Sequence, residues 1–67
     1  MNKEALANRA RWAIKANNER IENIKNEFEE IIADRFQSQR AKEYQINNLI
    51  QEWNMLLDSN LRLKGDL

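Results

Sequence analysis

The side chains of this sequence that could carry chemistry are mainly carboxylates, because the chain contains no cysteine and no histidine. It therefore lacks a thiolate nucleophile, the commonest general base and the usual ligands of a zinc site. Glu27, Glu30 and Asp34 share one face of a predicted helix, where they could hold a hard cation. Since no second ligand-bearing helix can be identified, we interpret them as a solvated acidic face. The sequence predicts no enzyme, catalytic residue, metal or cofactor.

A second group of side chains, around Trp12, suits binding rather than catalysis. In the predicted helix Trp12 faces away from the apolar stripe. An exposed tryptophan beside arginines is typical of hot spots in protein interfaces. The same composition suits a basic helix that stacks on a base and contacts phosphates. We predict a partner-binding surface; the alternative is that Trp12 packs on another helix of its own bundle. The predicted surface comprises Asn8, Arg9, Arg11, Trp12 and Lys15.

Helices must position this surface, because apolar residues recur at alternating spacings of three and four in both halves of the chain. The chain has no proline, and its only glycine is Gly65. Each half therefore predicts an amphipathic helix with one apolar stripe. We call the two stripes together the seam and predict that it also serves self-association. The seam comprises Ile14, Asn17, Ile21, Ile24, Phe28, Ile31, Ile46, Leu49, Trp53 and Leu56.

Residues 33–45 are too polar to continue the seam, and Ser38 is the best candidate for a turn that caps the next helix. We predict an all-α fold, an antiparallel helical hairpin in a single domain 1–67. Its helices span about 3–36 and 40–64, with a turn at about 37–39. Because so short a chain usually needs a further stabilising device, we expect a homodimeric bundle. The alternatives are a three-helix bundle, broken at Asn17-Asn18, and one long coiled coil.

Charge and composition limit the partners. The net charge is zero, although residues 1–20 hold five basic and two acidic side chains. No run of 18 apolar residues predicts a transmembrane helix, and no apolar stretch follows Lys3 as in a secretory signal. We therefore expect a cytoplasmic protein without a membrane partner. We interpret the ten asparagines as codon bias in an AT-rich genome, such as that of a phage or mobile element.

The segment Asn8-Arg9-Ala10-Arg11-Trp12 resembles the Asn-x-Ala-Arg-aromatic stretch in the first helix of the Rop family, small dimeric helical hairpins of plasmids that bind RNA. The resemblance covers five of 67 positions, and the predicted turn falls later here. Residues 12–17 similarly resemble the arginine-rich RNA-binding peptides of phage antiterminators, with far fewer arginines. Both resemblances imply RNA binding as an alternative function. The main prediction is a protein-interaction module, acting as a regulator, inhibitor or assembly factor, that binds another protein and itself.

Overall fold

The computed structural model describes residues 2–67 and consists of two antiparallel helices joined by a short loop. Helix α1 spans Lys3–Ala33 and helix α2 spans Gln39–Lys64. No strand occurs in these residues, and the two helices pack against each other along their length. The Cα extents are 54 × 15 × 10 Å. The predicted all-α helical hairpin is therefore confirmed.

Polar side chains start both helices at the positions that the sequence predicts. The Asn2 side chain accepts a hydrogen bond from the backbone N–H of Ala5 at 3.2 Å. The Ser38 hydroxyl accepts one from the N–H of Ala41 at 3.1 Å. These bonds satisfy backbone donors that have no partner within the first turn of a helix. Each helix therefore begins where its first turn can be capped.

The end of α1 differs from the predicted boundary near residue 36. The backbone of Asp34 is extended, with φ −69° and ψ 119°, and its N–H donates to the carbonyls of Glu30 and Ile31. Its carboxylate then accepts a hydrogen bond from the N–H of Phe36 at 2.8 Å. A local bond of this kind favours a turn over a further helical turn. The loop therefore begins at Asp34, and Arg35 lies in the loop rather than in the last turn of α1.

The helices meet along a narrow apolar core. Ala10, Ile21 and Ile24 are the buried apolar side chains, and Ile24 is 0% exposed. The rings of Phe28 and Trp53 pack with their centroids 5.8 Å apart. Aromatic pairs at this separation add to the stabilisation that burial provides. The core therefore lies in the middle of the hairpin.

Helix α1 runs without a break through Asn17-Asn18, so the three-helix alternative is wrong for residues 2–67. The loop at residues 34–38 likewise excludes one continuous helix. Antiparallel packing places the start of α1 and the residues after α2 at the same end of the molecule, where Lys3 and Leu67 line one shallow depression. The loop lies at the opposite end of the molecule.

Candidate functional site

Trp12 lies on the side of α1 that faces away from α2, and its side chain is 71% exposed. Helical periodicity explains this position, because Trp12 is about half a turn away from Ala10 and Ile21 on the helical wheel. The alternative that Trp12 packs within its own hairpin does not apply to the described chain. A large aromatic side chain is thus left in water on one helix face.

Polar and basic side chains border the Trp12 ring. The Lys15 Nζ lies 5.4 Å from the centroid of the ring, within the range of a cation–π contact. One turn earlier, the Arg11 Nη1 donates a hydrogen bond of 2.7 Å to the Asn8 Oδ1. These four residues line a shallow depression of about 170 Å³, and we call them the Trp12 surface. It offers an apolar ring flanked by two cations.

Arg9, the fifth residue predicted for this surface, lies apart from the depression. It lines a different depression with Leu6 and Ala5, near the start of α1. On the helix, Arg9 and Arg11 lie on opposite sides of Trp12 because two residues correspond to about 200° of rotation. The structure therefore brings together four of the five predicted residues.

The ten seam residues lie between α1 and α2 of the same chain. Ile21 and Ile24 are buried, whereas the other eight are only half-buried. The half-buried ones are Ile14, Asn17, Phe28, Ile31, Ile46, Leu49, Trp53 and Leu56. Association of copies through the seam stays a prediction. Two helices alone do not finish the burial of these side chains.

Asn17 is the centre of a polar layer within the seam. Its Nδ2 donates to the Ser59 Oγ at 3.2 Å and to the Asn60 Oδ1 at 2.9 Å. The Asn60 Nδ2 in turn donates to the Asn18 Oδ1 at 3.0 Å, and Asn60 is only 8% exposed. The sequence predicts Asn17 as a seam residue but does not predict its partners. Asn60 occupies the matching slot of the α2 repeat, a signal that could have identified the pair.

An ion pair that the sequence analysis did not predict lies beside the seam. The Arg20 guanidinium donates to both carboxylate oxygens of Glu52, from Nε at 2.5 Å and from Nη2 at 2.8 Å. It also contacts the Glu27 Oε1 at 3.4 Å. The hydrogen bond from Arg20 lowers the pKa of Glu52, against a smaller opposing effect of burial. This forked geometry cross-links the two helices on one side of the hairpin.

Residues 2–67 meet neither the requirements of a membrane-spanning helix nor those of a metal site. No helix in this range is long and apolar enough to cross a membrane. No group of three or more acidic side chains there is placed to hold a metal ion. That result includes Glu27, Glu30 and Asp34. The absence of a cofactor and of enzymatic activity stays a prediction.

Comparison with known proteins adds no relative to this description. No protein-family model, no curated protein and no solved structure matches the chain. The functional argument therefore depends on the geometry of the chain itself.

Proposed function

We propose that the protein is a small non-enzymatic interaction module that binds a partner protein through the Trp12 surface and associates with itself as a dimer. In this role it acts as a regulator, inhibitor or assembly factor in the cytoplasm, encoded by a phage or mobile element. The hairpin serves as a rigid support, because α1 carries the surface on an uninterrupted helix of 31 residues. Surfaces on helices hold binding side chains in place better than loops do.

The exposure of Trp12 is the single observation that carries this proposal. At 71% exposed, the indole leaves a large apolar area in water that no other part of the described chain covers. The Lys15 ammonium beside the ring favours this orientation of the indole by about 0.5–1 kcal/mol before any partner binds. A side chain that is already ordered loses less conformational entropy on binding. Trp12 therefore has the properties of an anchor residue.

The chemistry of the Trp12 surface favours one kind of protein partner. The indole fits an apolar pocket, and the ammonium and guanidinium of Lys15 and Arg11 fit carboxylates at its rim. Interfaces commonly combine a buried aromatic anchor with a charged rim of this kind. We therefore expect a partner that presents an apolar cleft edged by aspartate or glutamate.

A nucleic acid is the second candidate because the first twenty residues carry three more basic than acidic side chains. We place it second because only Arg11 and Lys15 border the ring, while Arg9 lies elsewhere. Glu19, two turns after Trp12 on nearly the same helix face, would repel phosphates. Phosphate-driven binding usually needs several cations along one track.

The test compares Trp12→Ala with Tyr44→Ala as bait in affinity capture from the native host, with and without nuclease. Tyr44 is a matched control, because it is another aromatic residue with 71% exposure, on α2 rather than α1. We expect the wild type and Tyr44→Ala to capture the same protein after nuclease treatment and Trp12→Ala to lose it. With the purified partner, Trp12→Ala should weaken binding by at least about 10-fold, as for a hot-spot residue.

Two results would contradict the proposal. Equal capture by all three baits would remove Trp12 from any interface. Capture that nuclease abolishes, with an affinity that falls by orders of magnitude between low and moderate salt, would favour the nucleic-acid alternative. A protein interface of this size should change much less with salt.

A further inference from the structure

A group of exposed aliphatic side chains lies beside the seam on one broad face of the hairpin. Ile32 and Leu61 are each 68% exposed, and Ile50 and Leu57 are 44% and 45% exposed. Helical geometry places all four on the side of the seam opposite to the Arg20–Glu52 ion pair. We call these four residues the open flank. This face is separate from the Trp12 surface, which lies on the back of α1.

The accessible surface of the chain is larger than that of a compact monomer of its mass, which indicates that a partner covers one of its faces. The accessible surface is 5646 Å². A compact monomer of 8.0 kDa exposes about 4,500 Å², so this chain exposes roughly 1,100 Å² more. A stable interface takes about 800 Å² from each partner. The Cα extents of 54 and 15 Å give one broad face of about that area. One partner on this face would remove most of the excess.

The arrangement of apolar residues favours a second copy that is turned end for end. Along the hairpin axis, Ile14 and Ile32 lie on opposite sides of the middle of the apolar region, at nearly equal distances from it. Leu57 and Ile50 are related to the same middle in the same way. A twofold axis through that middle therefore places Ile14 against the copy's Ile32. It also places Leu57 against the copy's Ile50. The half-buried Ile14 would then complete its burial.

Charges at the edges of the same face favour the same orientation. Arg11 and Lys64 are exposed near the terminal end, and Glu29 and Glu43 are exposed near the loop end. Within residues 2–67 none of these four forms an ion pair. The antiparallel arrangement brings Lys64 onto the copy's Glu43, because these two residues are related by the same twofold axis as Leu57 and Ile50. A parallel arrangement would place Arg11 over the copy's Lys64 and repel it.

We infer that a second copy of this chain packs antiparallel on the open flank, forming a four-helix bundle whose core extends the seam. This inference rests on the proposed self-association and adds the surface and the orientation. The Trp12 surfaces of both copies stay accessible, on the outer sides of the bundle. Dimerisation and partner binding share only Arg11, so variants of Leu57 and of Trp12 test them separately.

Sedimentation equilibrium of the wild type, Leu57→Glu and Met55→Glu tests the surface. Met55 is the matched control because it is an apolar residue of α2, 72% exposed on the opposite face. We expect a dimer for the wild type and Met55→Glu. In Leu57→Glu the dissociation constant should rise at least about 100-fold, since two charges would enter each interface. Circular dichroism at the same concentrations reports whether each variant remains helical.

Three results would overturn the inference. A wild-type monomer at high concentration would remove both the self-association and this surface. An equal effect of Leu57→Glu and Met55→Glu would leave self-association in place but exclude the open flank. If Leu57→Glu loses its helix at all concentrations, Ile50→Ser replaces it as the test of the open flank. That milder change should weaken the dimer, and a helical Ile50→Ser with wild-type affinity would exclude the flank.

Cysteine cross-linking tests the orientation, because the natural chain has no cysteine. Mixed samples of Lys64→Cys and Glu43→Cys should form a disulfide between unlike chains under mild oxidation, because these two positions are related by the same twofold axis as Leu57 and Ile50. Neither variant alone should cross-link efficiently, and Met55→Cys should not cross-link with either. Efficient pairing of Arg11→Cys with the Lys64→Cys variant instead would establish the parallel arrangement and overturn the antiparallel one.

Discussion

The seam contains two neighbouring layers of opposite character. One is apolar and includes the buried Ile21 and Ile24. The other lies one turn towards the termini, where Asn17 donates a hydrogen bond to Asn60 and Asn60 donates one to Asn18 in a polar layer. Both layers join α1 to α2. The apolar layer packs without directional bonds, whereas each amide of the polar layer needs a specific acceptor.

This difference indicates a division of roles between the layers. Apolar burial stabilises any register that covers the same area, because the hydrophobic effect is not directional. A buried asparagine stabilises only the register that supplies its partner, at some cost in stability. The apolar layer therefore holds the hairpin together, and the polar layer selects how α1 and α2 are aligned.

The largest expected effect is that of Ile24→Ala. Because the Ile24 side chain is fully buried, its truncation leaves a cavity in the apolar layer. We expect the free energy of unfolding to fall by about 3 kcal/mol. Urea denaturation followed by circular dichroism measures the loss, with the exposed Met55→Ala as control. A loss no greater than in the control would show that the apolar layer is not the main source of stability.

A smaller loss is expected for Asn60→Ala, which removes the partner of both Asn17 and Asn18. Leaving these amides without their hydrogen bonds should lower the free energy of unfolding by about 1.5 kcal/mol. The double variant Asn17→Leu/Asn60→Leu sharpens the comparison. It should be at least as stable as the wild type but should populate more than one register.

Nuclear magnetic resonance provides the readout for that double variant. Several sets of amide signals would indicate several registers, whereas the wild type should give one set. A single set of signals in the double variant, with unchanged contacts between α1 and α2, would contradict the role of the polar layer in selecting the register.

The smallest expected effect on stability is that of Glu52→Gln. Glu52 lies beside the two layers. Because Arg20 lowers the folded-state pKa of Glu52, the folded protein binds this proton less readily than the unfolded chain. The stabilisation is therefore complete above the unfolded-state pKa of about 4.3 and is lost as the pH falls through the lower folded-state pKa. Glu52→Gln should lower the Tm slightly at pH 7, and the difference should shrink progressively as the pH falls through the acid range. A difference that is independent of pH would exclude this ion pair as its cause.

The parts of the fold that the sequence predicts are those encoded by local patterns. The spacing of Ile21, Ile24 and Phe28 predicts one buried face, and Ser38 predicts the start of α2, as the structure confirms. The end of α1 was less predictable. It depends on the turn that Asp34 makes with the N–H of Phe36, which competes closely with helix continuation.

Local sequence patterns do not predict the contacts between α1 and α2, because these contacts depend on the register of the hairpin. Arg20 and Glu52 are 32 residues apart, so a shift of one turn would give each a different partner. The exposure of Trp12 and the position of Arg9 on the side of Trp12 away from Arg11 both follow from helical periodicity alone. Local periodicity thus predicts faces, and the register decides which residues of two faces meet.

The position of Lys3 and Leu67 at the same end of the hairpin has a mechanical consequence. A load pulling these two residues apart acts across the helix pair rather than along it. The contacts between α1 and α2 then break one after another from the terminal end, instead of all at the same time. The polar layer at Asn17 and Asn60 would yield before the apolar layer at Ile24. The hairpin should therefore open at low force while each helix is still intact, with the loop end separating last.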